Sequence, residues 1–224
     1  MFKGIIFDFN GTLFEDTDLQ ADAWDQVMQK YLGRSLGPTE FQDHFHGLAN
    51  GDIVPYLNSL GPKEPLTIEV TMEKESIYRQ IIRENPQRAQ LLPGVRELLD
   101  RFKAESIPMA IGTASEIINV SFFIDVFHLE DWFPRERIVY DDQSFPCKPA
   151  PDIYLKAAKR LELAPADCVI CEDSFNGIKA AEAAGAGRVI AVDPKLGAEE
   201  LKKDPKIYAF IKDFRGFYET YFLN

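Results

Sequence analysis

The sequence predicts an α/β protein, a doubly wound parallel sheet interrupted by an all-helical insertion. Three observations carry this reading. Ile5-Ile6-Phe7 is a continuous apolar run that stops at Asp8, as expected of a strand buried on both faces. Residues 19 to about 90 place their apolar side chains at helical spacing with no strand-like alternation, so they add nothing to a sheet. From Leu91 onward short apolar runs alternate with helical segments, the pattern that builds a parallel sheet. The core is therefore expected in residues 1–14 and 91–224, with 15–90 forming a helical cap.

In chain order, the first strand delivers Asp8 into a turn that Gly11 permits, and Phe14 to Asp18 reads as a linker leaving the core. Ala23, Trp24, Val27, Met28, Tyr31 and Leu32 recur at helical spacing, and Gly33 follows where a C-cap belongs. Thr39 with Glu40 predicts the start of a second helix. Residues 52–60 and 67–82 predict two more, punctuated by Gly61-Pro62 and Pro65. Pro93-Gly94 opens a helix through Ala104, 109–112 is a strand, 116–127 a helix and 137–140 a short strand. Asp152 is expected to cap a helix reaching about Leu161. Strand 169–171, a helix of small residues over 175–184 ended by Gly185, strands 189–192 and 209–211, and a helix to Phe222 complete the chain.

Composition narrows the function. A formal charge of −11 argues against nucleic-acid binding, which usually needs a basic patch. It does not repel a phosphate ester from a local basic pocket, because physiological salt confines fields to about 8 Å. No apolar stretch approaches the roughly 20 residues of a membrane span, and the chain runs straight into its first strand without a signal peptide. A cytoplasmic protein, monomeric or weakly dimeric and with no membrane partner, is expected. Three cysteines make no disulfide framework. Cys168 and Cys171 have a zinc-like spacing, but in a buried strand residues three apart point to opposite faces. His44 and His46 have no third ligand nearby in sequence and read as a helix end.

Candidate chemistry lies just past the strands. Asp8 ends the first strand, where open α/β sheets bind their ligands, although an Asp there could also simply cap the next segment. Thr113-Ala114-Ser115 ends the second strand, Lys148 sits in the proline-bounded Phe145-Pro146-Cys147-Lys148-Pro149, and Glu172-Asp173-Ser174 follows the run Cys168-Val169-Ile170-Cys171. A carboxylate nucleophile, a hydroxyl, an ammonium and an acidic pair suit phosphoryl transfer assisted by a divalent metal.

These stretches resemble the haloacid dehalogenase superfamily, and within it the β-phosphoglucomutase-like branch. The resemblance covers nearly the whole chain and is most specific at Phe7-Asp8-Phe9-Asn10-Gly11-Thr12-Leu13, Lys148-Pro149-Ala150-Pro151-Asp152 and Glu172-Asp173-Ser174-Phe175-Asn176-Gly177. It implies a Rossmann-like core and a cap that closes over the site. It also implies Asp8 as the nucleophile that becomes an aspartyl-phosphate. Mg²⁺ would be held by Asp8, the backbone carbonyl of Asn10 and Asp173, with Glu172 in support. Lys148 would offset charge, and Thr113 would donate to the phosphoryl group with the backbone N–H of Ala114, expected at the following helix start.

Two departures from the family matter. Asn10 stands where these phosphatases and mutases carry an Asp that acts as general acid and then base, and an amide cannot shuttle that proton. Three readings stay open: an engineered trap, an enzyme with a displaced acid, or a phosphate-binding relic. Gln20 replaces the mutase's histidine, and the substrate loop Gly47-Leu48-Ala49-Asn50 has Asn50 where the mutase has an arginine for a second phosphate. The expected function is Mg²⁺-dependent hydrolysis of a small phosphorylated metabolite, with Gln20, Gly47, Asn50 and Ala114 contacting substrate. The alternatives are a sugar-phosphate mutase or a catalytically weak phosphoester-binding protein.

Overall fold

The computed structural model describes residues 2–46, 48, 50–192 and 205–223. The first apolar run becomes strand β1, Gly4–Phe7, with all four residues buried. It lies at the centre of a six-stranded parallel sheet of order β3-β2-β1-β4-β5-β6. The other strands are β2 (Met109–Glu116), β3 (Ile138–Asp141), β4 (Cys168–Glu172), β5 (Arg188–Val192) and β6 (Ile207–Ile211). In register, Phe7 lies between Ile111 of β2 and Cys171 of β4. Strands β2 and β3 build outward on one side of β1 and β4 to β6 on the other, so the winding direction reverses beside β1. That reversal leaves a crevice at the carboxyl ends of the strands, where doubly wound sheets bind ligands.

Alternation along β1 sends successive side chains to opposite faces. On one face Ile6 packs with Ala110, Ile170, Ile178 and Val189, and with Ile153, Tyr154 and Ala157 of helix α7 (Asp152–Arg160). On the other, Phe7 meets Phe133 and Phe214 edge-on at 6.4 and 5.9 Å. Phe9 and Phe14 continue this aromatic layer against Phe123 and Phe127 of helix α6 (Ile117–Phe127). Burial of each such ring contributes about 3–5 kcal/mol by the cost of its truncation. Helices α5 (Val95–Ala104) and α8 (Phe175–Ala183) complete this unit, which comprises Met1–Glu15 and Gln90–Asn224.

The second unit, Asp16–Ala89, holds α1 (Thr17–Leu32), α2 (Glu40–His44), α3 (Asn50–Ser59) and α4 (Glu69–Glu84). Trp24, Val27, Met28, Phe45, Ile53, Leu57 and Val70 form its core. Gly33 ends α1 in the left-handed conformation, its N–H donating to Gln29 O. Beside this core lies a buried polar network: the Tyr78 hydroxyl donates to Asp16 Oδ2 at 2.5 Å, Gln20 Nε2 donates to the same oxygen at 2.8 Å, and Lys74 donates to Gln20 Oε1 and to Glu75. His44 ends α2 and stacks on Tyr56 at 3.9 Å, and Gln42 lies 3.3 Å from His46 Nδ1, so neither histidine joins a metal cluster among the described residues.

Several expectations shift. β2 continues to Glu116, which pairs with Asp141, so Ala114 lies within the strand and not at a helix start. The polar Thr113-Ala114-Ser115 reads as a loop locally, but the neighbouring β3 supplies ladder partners that extend it. Asp152 is the first residue of α7; Pro151 precedes it and no side chain caps the helix. The final helix is a single wide turn, Tyr218–Phe222. Both Cys168 and Cys171 lie buried in β4, where burial raises Cys168, beside Asp167, to about 11 and drives Cys171 well above a thiol's usual value, so neither is a ready thiolate. Among the described residues no helix is long and apolar enough to cross a membrane.

Candidate active site

The ladder ends at one buried carboxylate. Asp8 N–H donates to Cys171 O at 2.9 Å, the last rung beside β4, and the chain then folds back on itself. Leu13 and Phe14 both donate to Phe9 O, and Gly11 donates to Phe14 O at 2.7 Å. Gly11 adopts φ +79, and a Cβ there would strike the carboxylate of Asp173. The turn thus requires glycine for its conformation and for the close approach of an acidic neighbour. Thr12 Oγ1 donates to Asp173 Oδ1 at 3.0 Å, tying the same turn to the end of β4.

Lys148 brings the elements together. Its ammonium donates to Asp8 Oδ1 and to Glu172 Oε1, each at 2.6 Å, and its side chain is 7% exposed. Glu172 is fixed on all sides. Tyr154 OH donates to Oε1 at 3.1 Å, and the Ser174 N–H and hydroxyl donate to Oε2 at 2.6 and 3.0 Å. Ser174 also caps α8 by accepting from Gly177 N–H at 3.0 Å. A Cβ on Gly177 would fall on the Glu172 carboxylate, so the helix start and the acid are mutually fitted.

Oxygens of Asp8, Glu172 and Asp173 all lie within 4.8 Å of one another, and all three residues are buried. Burial pushes the Asp173 carboxyl well above the usual carboxylate range, and Glu172 and Asp8 push it further, while Thr12 and Lys148 oppose the shift. Burial works against the Lys148 charge, yet Asp8 and Glu172 outweigh it and hold the ammonium above its usual value. Three buried carboxylates facing one ammonium form a hard-oxygen set with negative charge in excess, which is what a divalent cation offsets.

The family of haloacid dehalogenase-like hydrolases matches residues 2–185, most of the chain. The chain belongs to that family. Among known proteins, this hydrolase is 29% identical over 224 residues to the phosphorylated carbohydrates phosphatase of Thermotoga maritima, covering 94% of this chain and 99% of the relative. It is 28% identical over 214 residues to the beta-phosphoglucomutase of Bacillus subtilis, covering 88% and 87%. The crystal structure of a HAD hydrolase, family IA, variant 3, from Entamoeba histolytica superposes with a TM-score of 0.86 at 32% identity, over 96% of this chain and 94% of that one. The β-phosphoglucomutase-like resemblance and the doubly wound fold therefore hold.

The hydrolase core links Asp8, Lys148 and Glu172 by hydrogen bonds and brings Asp173 within 4.8 Å of the two carboxylates. Thr113 is buried near the end of β2, the strand beside β1, and Thr113 Oγ1 accepts from Ser115 N–H at 3.2 Å. Ala114 follows it with its side chain exposed. Asn10 is held from across the sheet edge, its Oδ1 accepting from Ser115 Oγ at 2.8 Å. Gln20 lies in the other unit, committed to Asp16 and Lys74. Gly47 lies outside the described residues, and Asn50 opens α3 with its side chain outside them. Sequence reasoning missed the support given by Thr12, Ser115, Tyr154 and Ser174. Only Ser174 carried a local signal, a hydroxyl just before a helix. The partners of the other three are more than a dozen residues distant in sequence.

Proposed function

We propose that this hydrolase is a Mg²⁺-dependent phosphatase of small phosphorylated metabolites, sugar phosphates or similar monoesters, working through an aspartyl-phosphate on Asp8 in the cytoplasm. The observation that carries the proposal is Lys148 bridging Asp8 and Glu172 at 2.6 Å beside a third buried carboxylate, Asp173. Asp8, Asp173 and the backbone carbonyl of Asn10 would hold the cation, with Glu172 in support. When bound, it supplies the charge that lets a phosphate dianion approach a carboxylate.

Asp8 needs no base, since a carboxylate is ionised at neutral pH. Its oxygen forms the new bond to phosphorus while Lys148 offsets the charge gathering on Asp8 and on the phosphoryl oxygens. Because Thr113 Oγ1 accepts from Ser115 N–H, its own O–H is left to donate to a phosphoryl oxygen, beside the N–H of Ala114. Water then opens the aspartyl-phosphate. Gln20, Gly47 and Asn50 are assigned to substrate recognition on the family resemblance.

Asn10 favours a second reading, a phosphoester-binding protein with weak turnover, because losing a general acid/base costs about 10²–10⁴-fold in rate. A phosphate-release assay with and without Mg²⁺, on this chain and on Asn10→Asp, separates them. Mg²⁺-dependent release by both chains supports the phosphatase. Release by Asn10→Asp alone supports the binding protein, and release by neither rejects the site.

A further inference from the structure

The loop that carries Lys148 and the helix that follows it present two donors to one oxygen. Ala150 N–H donates to Cys147 O and Tyr154 N–H to Pro151 O, each at 3.0 Å, which ties Lys148 to the first turn of α7. From there the Lys148 ammonium and the Tyr154 hydroxyl both reach Glu172 Oε1, at 2.6 and 3.1 Å. The ammonium also lies 5.0 Å from the centre of the Tyr154 ring. Tyr154 is fully buried, and its ring lies so close to β2 that a Cβ on Gly112 would come within 3.2 Å of it. Packing accounts for the ring but not for the hydroxyl. A buried phenol oxygen is costly unless it finds a partner, and phenylalanine would fill the same space without that cost.

Glu172 Oε2 accepts from the Ser174 N–H and hydroxyl at 2.6 and 3.0 Å. With Lys148 and Tyr154 on Oε1, the four lone-pair sites of the carboxylate are occupied. Lys148 is divided between this oxygen and Asp8 Oδ1, each at 2.6 Å. Two donors on one oxygen weaken each other, because each offsets part of the charge that attracts the other. A neutral hydroxyl on Oε1 therefore loosens the hold of Glu172 on the ammonium without adding charge to the site.

We propose that Tyr154 is a positioning residue that acts through Glu172, sharing Oε1 with Lys148 so that the ammonium is left to Asp8 and to the phosphoryl group. The inference rests on Asp8 being the nucleophile. In the step, an Asp8 oxygen bonds to phosphorus and the bond from phosphorus to the leaving oxygen breaks, its electron pair staying on that oxygen, which takes a proton from water. Tyr154 and Lys148 keep their protons throughout. As negative charge moves from Asp8 onto the phosphoryl oxygens, the ammonium must follow it, and a Glu172 already satisfied by Tyr154 opposes that movement less. The hydroxyl thus acts on the transition state more than on bound substrate, so its loss belongs in kcat.

The test measures kcat and KM for p-nitrophenyl phosphate at saturating Mg²⁺ on the unmodified chain, Tyr154→Phe and Ser174→Ala. Each is made with Asn10 and with Asn10→Asp, so that slow turnover does not hide the effect. Calorimetry gives the Mg²⁺ Kd, and urea unfolding the stability. We expect Tyr154→Phe to lose about 10-fold in kcat, the scale of one hydrogen bond to a charged group. KM and the Mg²⁺ Kd should stay within about 2-fold, since three donors still hold Glu172 and no group touching substrate is removed. Ser174→Ala removes a donor from the other oxygen and the cap of α8, so its urea midpoint should fall at least as far while kcat falls less than about 3-fold. A lowered midpoint with unchanged kcat in Tyr154→Phe marks a packing role and overturns the proposal. Equal kcat losses in the two variants, or a loss explained by weaker Mg²⁺ binding, overturn it as well, with Asp8 still the nucleophile. Absence of phosphate release from the unmodified chain and from Asn10→Asp removes the phosphatase reading and the proposal together.

Discussion

Lys148 is where charge balance and the proposed catalysis meet in one side chain. It faces two buried carboxylates at 2.6 Å, so Lys148→Met strands both without their ammonium. Breaking a buried pair in this way costs about 3–5 kcal/mol, expected as a lowered urea midpoint. Phosphatase kcat should fall about 10²–10³-fold, as when one stabilising donor leaves a reacting anion. Gly177 offers a complementary case with no charge change. Gly177→Ala places a methyl on the Glu172 carboxylate, so Glu172 must leave either Ser174 or Lys148. The expected cost is about 1–3 kcal/mol, with weaker Mg²⁺ binding by calorimetry than in the unmodified chain. Asp8, Lys148, Glu172 and Asp173 were readable in sequence because each ends a strand or sits in a rigid loop. Ser115 was not, because its partner Asn10 is 105 residues away and nothing local marks the contact.

Among the elements, the helical unit carries polar contacts that its apolar periodicity does not reveal. Glu40, at the start of α2, accepts from both Arg34 guanidinium nitrogens at 2.6 and 2.7 Å, from Tyr56 OH at 2.6 Å and from Gly37 N–H at 2.8 Å. The Arg34 bonds hold its carboxyl down at about 2, against the opposition of burial. The unfolded chain therefore takes up this proton first on acidification. The stabilisation is complete above the ordinary carboxylate value of 4.5 and disappears as pH falls through about 2. Denaturant unfolding of Glu40→Gln should show its deficit undiminished from pH 5 to 7 and shrinking by pH 3. In α4, Tyr78→Phe removes a donor from buried Asp16, with an expected loss of about 1.5–3 kcal/mol in the same measurement. α1 was legible from the spacing of Trp24, Val27 and Met28, α2 from Thr39 with Glu40, and the next two helices from segments punctuated by Gly61-Pro62 and Pro65, whereas this network depends on packing between α1 and α4. The extent of β2 was hidden for a related reason, since Glu116 pairs only because β3 lies alongside it.

At the level of the whole molecule, excess negative charge sets the response to metal. If the three clustered buried carboxylates hold Mg²⁺ as proposed, the folded chain, with its formal charge of −11, would be a better Mg²⁺ ligand than the unfolded one. Binding to the native state alone at 100 times Kd stabilises by about 2.7 kcal/mol. For a chain of this size that is a rise in Tm of roughly 5–10 °C. Thermal unfolding in EDTA and in Mg²⁺ should show this shift, and Asp173→Asn should abolish most of it. The order of the sheet has a further consequence for how the protein is made. β1 is made before its partner strands, and its partners Ile111 and Cys171 are encoded more than 100 residues later. At about 5–20 residues per second, the strand bearing Asp8 waits roughly 10–30 s for its second neighbour. For that interval an apolar segment is without its sheet and is a ready client for chaperones. Asp8 is thus made long before the two strands that enclose β1.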